Sequence, residues 1–297
     1  MKRGIVIVIV ALIAAACGGG GPPPLPTPPP ATTPPGGTTS PTTAPPVTIT
    51  PPVTVTPSVS IRPTPSSPGY EAWLELRGNL FIAIRQINAS DAVEGAIKAM
   101  FRGPTKRESK LGIQTEVPKK AKVNGVTEHN ALARVDLSHS FYTGKDHRSL
   151  SMRYAQVVYT ASQFAAVNGV QFLENGKPKR VLNGDQTDQL HSANAKNYAN
   201  LLPPILVQQP VIGEQVANPI LVAGTTSVGT VSMRLLAPDG TLIASTTAPN
   251  ACSGCRGTFT GNLTYYTKEK RGAVQVYEVG PTGTPINSVK IPVQLAP

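Results

Sequence analysis

SLSMRYAQVVYTASQFAAVNGVQFLENG, from Ser149 to Gly176, is the stretch whose reading decides the fold. Leu150, Tyr154, Val157, Val158, Ala161 and Ala165 recur at helical spacing and form one apolar stripe, so Ser149–Val167 predicts an amphipathic helix. GVQFLENGKPKRVL follows at once and predicts a hairpin turning at Asn175-Gly176, residues that accept the positive φ of a two-residue turn. A helix that runs directly into strand places this part of the chain in a mixed class.

Upstream, LFIAIRQI predicts a strand and DAVEGAIKAMF a helix. Val93, Ile97 and Met100/Phe101 share one face of that helix. Ser90 or Asp91 stands at its N-cap, and Gly103-Pro104 stops it. KAKVNGVTEHNALARVDLS predicts another hairpin, with Ala131, Ala133, Val135 and Leu137 facing inward. Strand, helix, hairpin, helix, hairpin implies an α+β domain over residues 70–182, with two helices on one face of a sheet. Downstream, residues 183–204 are polar and aperiodic, a connector ending at Pro203-Pro204. Beyond it ILVQQP, PILVAG, TVSMRLL, TLIASTTA, GTFTGNLTYY, AVQVYEV and NSVKIPVQL are short runs rich in Val, Ile, Thr and Tyr. They predict an all-β immunoglobulin-like sandwich over 205–297.

The N-terminus sets the compartment. Lys2 and Arg3 precede an apolar run from Ile5 to Ala16, shorter than the about 20 residues of a transmembrane helix and suited to a signal peptide over 1–16. Ala14-Ala15-Ala16-Cys17 resembles a bacterial lipobox, which implies a diacylglyceryl anchor on Cys17 and export to the outer face of the cytoplasmic membrane. An ordinary secretory signal without lipid and an uncleaved anchor are the other readings of these residues. Residues 17–69 hold well over half of the prolines, many threonines and almost no charge. Such a composition cannot bury enough apolar surface to offset the entropy of ordering, so this segment is expected to be a disordered stalk.

Export constrains the cysteines. With Cys17 lipidated, Cys252 and Cys255 remain, and an even pair in an oxidising compartment favours a disulfide. The flanking runs are strand-like, so the C-x-x-C sits in a loop. A redox pair at a helix N-terminus, half of a zinc site and free thiols are the competing readings.

The formal charge is +11, and 17 Lys and Arg stand against 10 Asp and Glu between Tyr70 and Arg180. A basic surface on an exported protein points to anionic envelope material, such as wall polymer or headgroups, rather than nucleic acid. Arg102, Lys106, Arg107 and Lys110 are the candidate docking patch; a solvated loop is the plain alternative. Asp136, Ser138 and His139 are crowded into one short stretch, whereas a catalytic triad draws its members from separate elements. His129, His139 and His147 have no ligand spacing that implies a metal, and no cofactor is expected. Tyr265, Tyr266 and Tyr277 are a possible binding face, although strand tyrosines commonly pack.

Two resemblances add to this. MFRGPTKRE, GIQTEVPKKAKVNGV, ARVDLSHSF and QVVYTASQFAAVNGVQFLENG resemble the GerMN domain of sporulation and spore germination proteins. ILVQQPVIGEQVANPILVAGTT, LLAPDGTLIAS, RGTFTGNLTY and VQVYEVGPTGTPINSVKIPVQL resemble the immunoglobulin-like domain of bacterial spore germination, its usual C-terminal companion. Both resemblances imply a non-catalytic envelope lipoprotein that binds or scaffolds. A thiol oxidoreductase using Cys252 and Cys255 is the enzymatic alternative.

Overall fold

The computed structural model describes residues 69–87, 91–144 and 146–296. The expected signal peptide, Cys17, the expected stalk except Gly69, which begins the first strand, and Ser90 as a cap lie outside the described residues. The described chain is mostly β, with few helices.

The first elements are a hairpin of β1 (Gly69–Leu76) and β2 (Asn79–Gln86), the helix α1 (Ala92–Phe101), the short helix α2 (Lys106–Lys110) and β3 (Ile113–Gln114). There follow β4 (Val123–His129), β5 (Leu132–Leu137), α3 (His139–Tyr142), α4 (His147–Ala161), β6 (Gly169–Glu174) and β7 (Lys177–Pro178). Asp91 caps α1, its carboxylate accepting from Glu94 N at 2.8 Å. The β6–β7 turn falls at Asn175-Gly176, both at positive φ, as the sequence predicts. The β4–β5 turn uses Asn130-Ala131, both also at positive φ. Ala131 is therefore an exposed turn residue, and only Ala133, Val135 and Leu137 of the expected inward set are buried.

Two expectations are corrected here. α4 ends at Ala161, capped by Ser162, so Ala165 lies beyond the helix and is exposed. And the helices do not cover one face of a single sheet. β2-β1-β3 forms one sheet and β4-β5-β6-β7 another. α1 and α4 lie against each other and touch both, α4 meeting β1 and β2 as well as β6, and α1 meeting β1 and β4. The second sheet arises because β6 returns parallel to β5 after α4, in register Leu132↔Gly169 to Leu137↔Glu174. A parallel pair needs a long crossover, and α4 is that crossover.

A helix enclosed on both sides buries polar residues as well as its apolar stripe, and α4 gives them work. β1 pairs with β2 along its whole length but with β3 only at Glu75 and Leu76. Its other edge is completed by side chains of and just beyond α4. Thr160 Oγ1 accepts from Trp73 N at 3.1 Å, and Gln156 Nε2 donates to Trp73 O at 3.1 Å. Gln163 accepts from Glu71 N and donates to Glu71 O, both at 2.8 Å. Gln156, Thr160 and Gln163 recur at i, i+4 and i+7, one helical face, and stand in for the missing strand. Buried Arg153 donates to Phe141 O and Thr143 O, satisfying carbonyls at the end of α3.

The residues expected to be a plain connector carry β9 (Gln189–Leu190), which pairs with β8 (Val181–Leu182) at the end of the first domain, and a 3₁₀ helix at Ala195–Leu201. Tyr198 in that helix is fully buried and its hydroxyl donates to Leu182 O at 2.7 Å. Ala193 bridges to Val170 of β6.

All seven β runs of the remainder form strands: β10 (Ile205–Gln209), β12 (Ile220–Thr226), β13 (Thr230–Leu236), β14 (Leu242–Pro249), β15 (Gly257–Leu263), β16 (Arg271–Val279) and β17 (Pro285–Leu295). A short β11 (Gln215–Val216) pairs parallel to the end of β17. They make two sheets, β10-β12-β15 and β11-β17-β16-β13-β14, with Ile220, Val222, Phe259, Met233, Leu235, Val274 and Val276 in the core. At Gly224 a Cβ would come within 2.0 Å of Leu206 O, so only glycine lets β12 lie this close to β10.

Candidate functional site

The sequence GPTKRE builds a fixed corner. Gly103 takes a positive φ after α1, and Thr105 caps α2 through a capping box with Glu108. Arg85 of β2 clamps it: its guanidinium donates to both Glu108 oxygens, at 2.8 and 2.7 Å, and to Gly103 O at 3.2 Å. Burial pushes the Glu108 carboxyl up, but the Arg85 guanidinium and the Thr105 amide and hydroxyl outweigh it and hold the carboxyl below its ordinary value.

This corner turns the acid inward and the bases outward. Arg102, Lys106, Arg107 and Lys110 are exposed, and so are Lys119, Lys120 and Lys122 in the loop after β3. The two acids of the segment are engaged elsewhere: Glu108 with Arg85, and Glu116 accepting from the Ser149 hydroxyl at 2.5 Å. Lys106 and Lys110, at i and i+4, share one face of α2. Arg107 differs from its neighbours, since its guanidinium packs over Gly213 before β11.

Cys252 and Cys255 are joined in a disulfide in the β14–β15 loop, with Cα atoms 5.4 Å apart. Asn250 organises the loop, accepting from Cys252 N at 3.0 Å and donating to Cys255 O at 2.9 Å. A Cβ on Gly257 would lie 2.3 Å from Asn250 Oδ1 and 2.6 Å from Cys252 N, which requires glycine there. The next side chain, Arg256, donates to Pro203 O and to Thr225 Oγ1 and O. Burial lowers its pKa, and the nearby Tyr159 of α4 opposes that shift. Burial pushes the Tyr159 phenol up to about 12.

The other expected residues are not brought together. Asp136 accepts from Gly176 N, Ser138 accepts from Lys122 N, and His139 meets Glu174, which also takes a bond from Lys179. Hydrogen bonds from Lys179 and His139 draw the Glu174 carboxyl below its ordinary value. His129 and His147 lie on β4 and α4, and among the described residues no three His, Cys, Asp or Glu side chains cluster. Tyr265 is buried with its hydroxyl on Ala296 O, Tyr266 is 92% exposed, and Tyr277 lies beneath the Arg234 guanidinium. Among the described residues no helix is long and apolar enough to cross a membrane.

Residues 77–180, which contain this corner and the α4 crossover, match the family model described as Germane, sporulation and spore germination. This module is a GerMN domain. The chain is similar to the tandem GerMN domains of the sporulation protein GerM from Bacillus subtilis, at 14% identity and a TM-score of 0.37, covering 68% of this chain and 63% of that one. It is similar to the first GerMN domain of the same protein, at 19% identity and a TM-score of 0.31, covering 38% of this chain and 86% of that one. A Clostridium perfringens protein described as a lipoprotein is similar at 18% identity and a TM-score of 0.32, covering 46% of this chain and 90% of that one. No curated protein matches the chain.

A cleft opens where the β1–β2 turn of the GerMN module meets the second module. A cavity of about 260 Å³ lies between Leu76–Phe81 and the starts of β10 and β17. A second, of about 370 Å³, shares Leu76, Arg77, Phe81, Ser288 and Val289 with it and extends to Leu111, Ile113 and Ile212. The walls are largely apolar. The charged lining residues are Arg77 and Lys290. Arg77 is set by its turn, where Gly78 O accepts from Arg148 and Gly78 N donates to the Glu75 carboxylate.

Proposed function

We propose that this chain is a non-catalytic protein of the cell envelope that binds anionic wall polymer, or an anionic face of another envelope protein, through the basic surface of its GerMN module. The observation that carries this reading is the segment 102–122, where seven cations are exposed while Glu108 and Glu116 are both turned to internal partners. A surface of one sign attracts anionic polymers of repeated charge.

The reading includes the rest of the chain. Residues 1–16 are the export signal, Cys17 carries the lipid, and the residues from 17 up to the start of β1 form a stalk that holds the folded part off the outer face of the cytoplasmic membrane. The GerMN module runs from β1 to 182, followed by the segment 183–204. Residues 205–297 are an immunoglobulin-like sandwich; the order β10-β12-β15 opposite β17-β16-β13-β14 supports this.

The mature chain should pellet with anionic wall polymer at low salt. The bound fraction should fall steeply as ionic strength passes 0.1 M, where screening acts over about 10 Å. Binding that is absent at low salt, or unchanged at high salt, contradicts the proposal.

A further inference from the structure

The cleft is bordered by an open strand edge. In β17, Pro292 O accepts from Gly213 N at 2.7 Å and Gln294 N donates to Glu214 O at 2.8 Å. Even-numbered residues from Lys290 to Gln294, where the register with β16 is regular, therefore turn their main-chain groups away from β16. β11 covers this edge only at Gln294 and Leu295. Nearer the turn, Ser288 O accepts from the Arg77 guanidinium at 3.4 Å, and no described backbone group pairs with Lys290 on this side. The opposite wall is β2, itself an edge strand, whose Leu80 lines the cleft.

These features select the occupant. A purely apolar molecule laid in the cleft would cover the Lys290 N–H and C=O and leave them without partners, which is costly for buried main chain. An extended peptide satisfies them by adding a strand, and places alternate side chains toward the apolar wall. The two cations of the lining, Arg77 and Lys290, call for carboxylates on that peptide. We propose that the cleft takes an extended acidic and apolar segment of a partner protein. It pairs with β17 at Ser288–Lys290, seats apolar side chains on Phe81, Leu111 and Val289, and sets carboxylates against Arg77 and Lys290.

The test uses the full mature chain and a fluorescein-labelled peptide of alternating Glu and Val, the length of an ordinary strand. Anisotropy should show saturable binding, and amide exchange at Lys290 should slow in the complex. The same peptide with Lys in place of Glu, the Glu/Val peptide N-methylated at alternate residues, and the Arg77→Glu/Lys290→Glu variant should each bind at least about fivefold more weakly. Should that variant fail to fold, the N-methylated peptide against the unaltered chain decides. Equal binding of the methylated peptide, indifference to the peptide's charge, or unchanged exchange at Lys290 overturns the proposal and leaves Lys290 as an edge guard. Phosphatidylglycerol vesicles that bind at this cleft while the peptide does not would also overturn it. Lys106 and Lys110 lie outside the cleft, so failure here leaves the polymer-binding reading standing.

Discussion

Glu108 shows how one residue serves both fold and surface. It closes the capping box of α2, receives both arms of Arg85, and so removes an acid from a surface that is otherwise basic. Its pKa lies lower in the folded chain than the ordinary value of 4.5. The stability it contributes is thus complete above 4.5 and is lost as pH falls through the folded value. Glu108→Gln should destabilise the chain at neutral pH by on the order of 3 kcal/mol, because it leaves the largely buried Arg85 without its counter-charge and sets an amide NH2 against one of its arms. Urea unfolding at neutral pH and well below pH 4.5 checks this, and the gap between variant and parent should narrow in acid. An equal gap at both pH values would mean that the ion pair does not carry the effect. The signal was present in the sequence: Thr105 and Glu108 have capping-box spacing. Reading GPTKRESK for its charge alone hides it, and Arg85, on a distant strand, is beyond any local pattern.

At the scale of elements, one edge of β1 is completed largely by side chains rather than by a strand. Gln156 and Thr160 are fully buried, polar, and bonded to the main chain of Trp73. Gln156→Leu and Thr160→Val should each cost about 1–3 kcal/mol, since each leaves a buried main-chain group unpaired. Thermal or urea melts read the loss, and amide exchange at Trp73 should speed up in Thr160→Val. Variants as stable as the parent, with Trp73 still protected, would show that the stripe does not complete the strand.

What was legible follows from whether the cause is local. Asn175-Gly176, Asp91 as a cap, the apolar face of α1 and seven of the eight strands described after residue 204 are visible because turn chemistry, capping and period-two patterning are properties of neighbours. The parallel return of β6 beside β5 is not, because strand partners are chosen by the tertiary fold. β1 escapes notice because GYEAWLEL adjoins a proline-rich sequence, and its second edge is satisfied by side chains of and just beyond a helix. Tyr198 is buried in a stretch of polar residues whose own periodicity gives no hint of it. The basic patch was legible as charge, but the direction of Arg107, toward Gly213, was not.

For the whole molecule, charge position and net charge make different predictions. Lys268 and Lys270 are exposed on the second module, outside the segment 102–122. Lys106→Glu/Lys110→Glu and Lys268→Glu/Lys270→Glu change the net charge equally. If the GerMN surface is the docking site, they should not behave equally. Pelleting of the two variants and the parent with the same anionic wall polymer at low salt is the most direct measurement. The account predicts that reversal at Lys106 and Lys110 abolishes most of the binding while reversal at Lys268 and Lys270 leaves it near that of the parent. Equal losses in the two variants, or full binding by the first, would contradict it.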